Sequence, residues 1–314
     1  MKFINDLKEG DRVGDIYLCK NKQAMVTKNG KPYESIIVQD KTGTLDGKIW
    51  DPNSQGIDDF DAQDYVEIVG DVTSFAGALQ LNIKRVRKAS EDEFDPADYL
   101  PVSDKNRNDM YQELRGYIDS VQNPHLAGLL KHFFVEDKEF IQAFGFSSAA
   151  KMVHHGFVGG LLEHTLSVVK LCDYYTQTYS YLNRDLLITS AIFHDMGKTK
   201  ELSAFPMNDY TDEGQLLGHI MMGTEMLHDA IREMPDFPDK LARELKHCIL
   251  AHHGELEYGS PKKPALAEAV ALNMADNTDA KLETLKEIFE KAGDNNDWLG
   301  YNRLFESNIR KTSV

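Results

Sequence analysis

Between Asp11 and Arg87 apolar and polar residues alternate in short runs, whereas beyond Asn106 the apolar positions recur every three or four residues. The first pattern belongs to half-buried strands and the second to amphipathic helices. VGDIYLC, YESIIVQD, LDGKIWD, YVEIVGDV and ALQLNIKRV predict five strands, rich in β-branched and aromatic residues and set apart by Gly, Asn, Asp or Pro. Asn29-Gly30 and Lys41-Thr42-Gly43-Thr44 are hairpin-turn signals. With a longer connection around Pro52–Asp64, these strands fit a five-stranded Greek-key barrel of the OB type, a different small β-barrel being the main alternative.

SEDEFDPADYLP (Ser90–Pro101) is acidic, contains two prolines and reads as a linker or an extended strap. Helical periodicity follows in MYQELRGYIDSV, HLAGLLKHFF, KEFIQAF and LLEHTLSVVKLCDYYTQTY, then over Arg184–His194, Leu216–Met234, Asp239–His253 and Leu266–Ala292. The apolar spacing of DWLGYNRLFESNIRK predicts a last helix, docked on its own domain or on a neighbouring subunit. The fold class expected is therefore an OB-type barrel over residues 1–89, an acidic linker over 90–105 and an all-α domain over 106–314.

Composition changes this picture little. No apolar run reaches the ~20 residues of a membrane span, and MKFINDLKEG is not a signal peptide. Cys19, Cys172 and Cys248 lie far apart and suggest no disulfide framework, so a reducing cytoplasm is expected. Charge is more informative. The net of −16 is uneven: residues 1–90 carry 13 basic against 14 acidic side chains, residues 91–314 carry 22 against 37. The near-neutral first part can still present a basic face to a polyanion.

The chemistry lies in the acidic part. His164, His194-Asp195, His219, His252-His253 and Asp276 follow one another through the helical region. Histidines with a few carboxylates are the mixed donors that borderline divalent metals prefer, and without a cysteine cage they suit open, water-bearing positions. An Asp beside a His can bridge two ions, and two ions a few Å apart clamp both oxygens of a phosphodiester undergoing displacement. Lys198 lies three residues after Asp195, on the same helical side. Gly197 is read as letting substrate approach the backbone. His252 and His253 are placed at a helix terminus rather than on a buried face. His125, His132, His228 and His247 fall outside the pattern and read as ordinary surface or core residues.

GGLLEHT, IFHDMGK, LLGHI, LAHHG and NMADNTD together resemble the HD-domain metal-dependent phosphohydrolases. The barrel followed by such a domain is similar, along essentially the whole chain, to the YhaM-type 3′-5′ exoribonucleases of Gram-positive bacteria. The resemblance implies two divalent ions, Mn2+ or Co2+; ligand chemistry alone equally allows iron or nickel. It implies that His164, His194, Asp195 and Asp276 hold one ion and that Asp195, His219, His252 and His253 hold the other, with Asp276 preferred over Asp279. It also implies that Lys198 contacts the scissile phosphate, where an ammonium suits the building charge. His154-His155 either line the substrate entrance or begin a helix.

OB barrels hold single strands by aromatic stacking beside a cationic groove. Tyr17, Tyr33, Trp50 and Phe75 are the aromatic candidates, each as well suited to the core as to stacking, with Phe75 in the loop before the last strand the best placed. Lys22, Lys28, Lys31, Lys48, Lys84, Arg85 and Arg87 are the cations nearby, and simple alternation puts Lys84 with Val86 on one face and Arg85 with Arg87 on the other. The expected function is a two-metal 3′-5′ exoribonuclease that degrades single-stranded RNA, with single-stranded DNA as a second substrate, to nucleoside 5′-monophosphates. Its polarity and product follow from the resemblance alone. The partners expected are the nucleic acid and further copies of the chain in a homo-oligomer, with no membrane. The competing readings are an HD hydrolase of small nucleotides or cyclic dinucleotides and a non-catalytic single-strand-binding protein.

Overall fold

Alternation becomes β1 (Arg12–Val26), β2 (Pro32–Asp40), β3 (Gly43–Ile49), β4 (Tyr65–Phe75) and β5 (Ala78–Lys88). The computed structural model describes residues 2–313 except 91, 96, 97, 101, 104, 152–154, 294 and 296, and the chain divides into two compact units, residues 1–102 with 205–207 and the remainder. In the first unit the strands close in the order β1-β2-β3-β5-β4, antiparallel throughout except for the parallel β3–β5 pair, which is the OB arrangement. β1 is long enough to pair with both of its neighbours: Arg12–Leu18 face β4, and a register shift between Cys19 and Asn21 turns the rest onto β2. The inward positions, among them Val13, Tyr17, Ile36, Val38, Ile49, Val66, Ile68 and Leu81, make one closed core. Tyr17 belongs to that core and not to a stacking surface; its hydroxyl donates to the Lys2 carbonyl at 3.0 Å.

The pairing of β4 with β5 departs from simple alternation. Val69 stands opposite Arg85 and Gly70 opposite Ile83, so Lys84 is an extra residue bulged out of β5. Ile83 and Val86 therefore both reach the core while Lys84 and Arg85 both stay outside. A Cβ at Gly70 would lie 2.4 Å from the Asn82 carbonyl oxygen, so the ladder closes there only because the side chain is missing. The acidic segment after β5 is a strap on the barrel: Phe94 stacks on Tyr65 at 3.9 Å between centroids, Tyr99 meets both edge-on, and Tyr99 and Leu100 are buried.

The second unit is built from α1 (Arg107–Ser120), α2 (Pro124–Lys131), α3 (Lys138–Phe146), α4 (Gly160–Thr178), α5 (Arg184–Phe193), the single turn α6 (Lys198–Glu201), α7 (Asp212–Arg232), α8 (Asp239–Ala251) and α9 (Ala267–Lys291). Side chains of Asn106, Asn123, Asp137, Asn183 and Thr211 accept the first free N–H groups of α1, α2, α3, α5 and α7. Every residue of α5 from Leu186 to Phe193 is buried, and α4, α8 and α9 pack around it. Among the described residues no helix is long and apolar enough to cross a membrane. The C-terminal stretch is not a helix. It forms a hairpin of β6 (Trp298–Asn302) and β7 (Ser307–Arg310), with Gly300 at φ +94 and Glu306 at φ +48 in backbone regions that no helix accepts.

The close approach at Gly70 makes a prediction. Gly70→Ala forces the bulged pair apart and should destabilise the barrel by ~2 kcal/mol or more, in the range of other overpacked sites. Urea unfolding followed through Trp50 fluorescence measures it; an unchanged midpoint contradicts the tight approach.

Candidate functional site

The turn after α5 places the chemistry. His194 ends α5, and residues 194–197 leave the helix before α6 starts at Lys198, so His194, Asp195 and Lys198 sit on a turn rather than along one continuous helix. Gly197 has a different task from the one its sequence context suggests. A Cβ there would lie 2.0 Å from the His219 carbonyl oxygen and 2.7 Å from the Gly223 nitrogen. The backbone that comes close is that of α7, not a substrate's, and this approach delivers His219 to Asp195. α7 is itself broken at Gly218, φ +72, so that His219 opens its second segment.

All seven residues singled out by sequence converge. His164 comes from α4, His219 from α7, His252 and His253 from the end of α8, and Asp276 from α9. Ligand-type atoms of His164, His194 and Asp276 lie within 4.8 Å of one another, as do those of His219, His252 and His253. Asp195 stands between the two groups. Its Oδ2 is 3.5 Å from Nε2 of both His164 and His194, and its Oδ1 is 3.3 Å from Nε2 of His219 and 3.6 Å from Nε2 of His252. The Lys198 ammonium sits 2.6 Å from Oδ2. His252 is at a helix terminus as expected, yet it is fully buried, because α9 covers that end through Asn273, whose Nδ2 donates to the His252 carbonyl.

The five imidazoles are oriented alike. Nδ1 donates to Asp279 from His164, to Glu201 from His219, and to the carbonyls of Ala191, Ile249 and Tyr258 from His194, His252 and His253. Carboxylates and carbonyls only accept, so each Nδ1 carries a proton and each Nε2 turns inward, able to donate its electron pair wherever it holds no proton of its own. Outer acceptors of this kind surround metal-bound histidines. Asp279 and Glu201 escaped sequence reasoning in this role, because nothing in their local sequence separates them from surface acids.

Electrostatics agree with a cation site. Asp195 Oδ1, His219 Nε2 and His252 Nε2 are buried without any hydrogen-bond partner, although unpaired buried polar atoms are costly. In the other group Nε2 of His164 and His194 face each other at 3.2 Å, two lone pairs that need a proton or a cation between them. Burial pushes His164 down, but its hydrogen bonds to Asp276 and Asp279 outweigh this and raise it to about 10. Burial lowers His194 and His253 to about 4, so both rings are neutral at pH 7. Burial pushes the Asp195 carboxyl up, yet the Lys198 ammonium beside it holds it well below the usual range. The donor set, with its unpartnered nitrogens and oxygen, fits borderline divalent ions.

His155 lies on neither an exposed entrance nor a helix. It is buried, with φ +60, and its Nε2 donates to Asp279 at 3.0 Å. His154 lies outside the described residues.

On the barrel, Tyr33 and Trp50 meet on the outer surface with ring centroids 5.1 Å apart, Trp50 being 50% exposed. Phe75 is the last residue of β4 rather than part of a loop, and at 70% exposure it stands at the tip of the β4–β5 hairpin. The cations are mostly spoken for. Lys48 donates to Ser35 and Asp46, Lys84 pairs with Asp71, Lys22 with Glu34, and Arg87 with Glu67 and Glu93. Lys28 and Lys31, in the β1–β2 turn, and Arg85 have no acidic partner among the described residues.

The HD domain family model matches residues 161–281, which contain every one of the seven converging residues. The chain is 35% identical over 291 residues to the 3′-5′ exoribonuclease YhaM of Geobacillus sp. (strain WCH70), covering 92% of this chain and 89% of that protein. The proteins of the same name from Bacillus velezensis and Bacillus licheniformis are 35% and 36% identical, each over 90% of this chain and 89% of their own length. Such identity runs through barrel and helices alike, and on that ground the chain belongs to the YhaM family of 3′-5′ exoribonucleases.

Proposed function

We propose that this protein is a cytoplasmic, divalent-metal-dependent phosphodiester hydrolase that shortens single-stranded RNA, and single-stranded DNA as a second substrate, from the 3′ end with release of nucleoside 5′-monophosphates. The observation that carries the reading is the division of Asp195, one oxygen toward each of two histidine groups whose Nε2 atoms all turn inward. His164, His194, Asp195 and Asp276 would hold one ion, and Asp195, His219, His252 and His253 the other. Ions there, Mn2+ by preference, would activate water and offset charge on the phosphoryl oxygens. Lys198 would meet a phosphate oxygen: burial lowers its pKa, but the neighbouring Asp195 charge outweighs this and keeps the ammonium charged. The direction of attack rests on the activity named for the relatives.

The barrel supplies strand capture, through stacking on Trp50, Tyr33 and Phe75. Of the seven cations near the barrel aromatics, Lys48 and Lys84 already face carboxylates, so phosphate contact falls mainly to Arg85 with Lys28 and Lys31.

Incubation of the full-length protein with end-labelled single-stranded RNA and Mn2+, with and without chelator, tests the function. A ladder shrinking from the 3′ end supports it; intact RNA beside hydrolysed free nucleotide supports a small-nucleotide hydrolase instead. Asp195→Ala should abolish hydrolysis and lower bound metal while strand affinity stays; activity above ~10% of wild type with normal metal content contradicts the shared-carboxylate site. Ion and proton compete at His164, whose pKa is raised, so Mn2+ affinity should rise with pH between 6 and 8. A flat affinity in calorimetric titrations across that window contradicts this. Trp50→Ala should weaken RNA binding by ~1–3 kcal/mol. Log affinity against log salt should have a slope near ~−2, from about three unpaired cations at ~−0.7 each. A slope steeper than ~−5 shows that the paired lysines also reach phosphate.

A further inference from the structure

Two carboxylates stand behind the metal-facing set, and each grips the back of one imidazole. Asp279 Oδ2 accepts Nδ1–H of His164 at 2.7 Å and Nε2–H of His155 at 3.0 Å. Glu201 Oε1 accepts Nδ1–H of His219 at 3.0 Å and the backbone N–H of the same residue, also at 3.0 Å. His194, His252 and His253 lean on backbone carbonyls instead. The division is one carboxylate-backed ring in each histidine group.

A carboxylate behind an imidazole fixes its tautomer and makes the opposite nitrogen a stronger ligand than a carbonyl does. Both carboxylates are ionised. Burial pushes Asp279 up, but the hydrogen bonds from His155 and His164 outweigh it and hold the group well below the usual range. Burial raises Glu201 likewise, and the His219 bonds outweigh it. Their anchorage also differs. Asp279 follows Asp276 by three residues on α9, so one helical face presents a metal-facing oxygen and the brace of His164 together. Glu201 ends α6 and is held where α7 breaks at Gly218.

We propose that Asp279 and Glu201 are positioning residues, each setting the ion affinity of a different group, Asp279 through His164 and Glu201 through His219. The proposal rests on the two-ion reading of the site. It gives the two ions separate controls, although they share Asp195.

The test uses the full-length protein stripped of metal and the variants Asp279→Ala, Asp279→Asn, Glu201→Ala and Glu201→Gln. Mn2+ binding is followed by equilibrium dialysis with metal analysis, and the hydrogen-bonded ring Nδ1–H groups are read by 1H–15N NMR before any metal is added. Asp279→Ala should weaken one of two Mn2+ steps by ~10–100-fold and Glu201→Ala the other, each leaving its counterpart within about threefold. Asp279→Asn and Glu201→Gln, whose amide oxygens still accept, should lose less; being close in shape, they answer where an alanine variant unfolds. The His164 ring should lose its hydrogen-bonded Nδ1–H signal in Asp279→Ala while His219 keeps its own. Weakening of the same step by both alanine variants overturns the proposal, as does an unchanged Nδ1–H signal with unchanged affinity. A third ion in wild type that Asp279→Ala removes makes Asp279 a ligand and overturns it too. A wild type that binds no divalent ion overturns the two-ion reading and this proposal with it, whereas an unchanged Nδ1–H signal overturns the brace alone.

Discussion

Asp195 lies at 1% exposure with Oδ2 on the Lys198 ammonium and Oδ1 without a hydrogen bond, and the helical unit is arranged around that buried charge. A carboxylate so placed is tolerated only beside compensating charge. One ammonium meets one oxygen; the other oxygen faces only imidazoles. α4, α7, α8 and α9 each bring part of the surroundings to the turn that carries Asp195, and the absence of a side chain at Gly197 lets α7 reach it.

The surroundings are set before any ion arrives. A side chain with two equivalent nitrogens could present either to a ligand, and a mixture of tautomers would blur the site. Five acceptors fixed in helices and turns remove that choice. Three are carbonyls, held by the fold itself, and a carbonyl cannot be lost by substitution of its side chain. Two are carboxylates, which can.

Much of this was legible in the sequence, and the misses have physical causes. The seven converging residues were readable because each sits in a short motif, five of them at a helix end or beside a glycine and His164 and Asp276 within α4 and α9, and their order through one helical domain narrows the chemistry. Asp279 and Glu201 were not readable as braces, since a second-layer carboxylate has no local signature among 51 acidic residues. Gly197 announced a close approach without saying which chain approaches. Lys84 was misplaced because a bulge inserts a residue that period-two counting cannot see. Trp298, Tyr301 and Phe305 fit helical spacing, but Gly300, at positive φ in a bulge of β6, and the turn over residues 303–306 make the segment a hairpin. Tyr17, Trp50 and Phe75 look equivalent in sequence, and only the closing of the barrel sorts one inward and two outward.

The parallel β3–β5 contact and the pairing of Arg12 with Asp71 join parts of the chain far apart in sequence. Such pairings form only after long loops close, so the barrel is the slow-folding element of the two, on a scale of milliseconds to seconds. It is also made first. At ~5–20 residues per second the helical residues after it take on the order of 10–40 s to emerge. The barrel thus has time to close before His164 and Asp276, which come late and from separate helices, are both available to find each other.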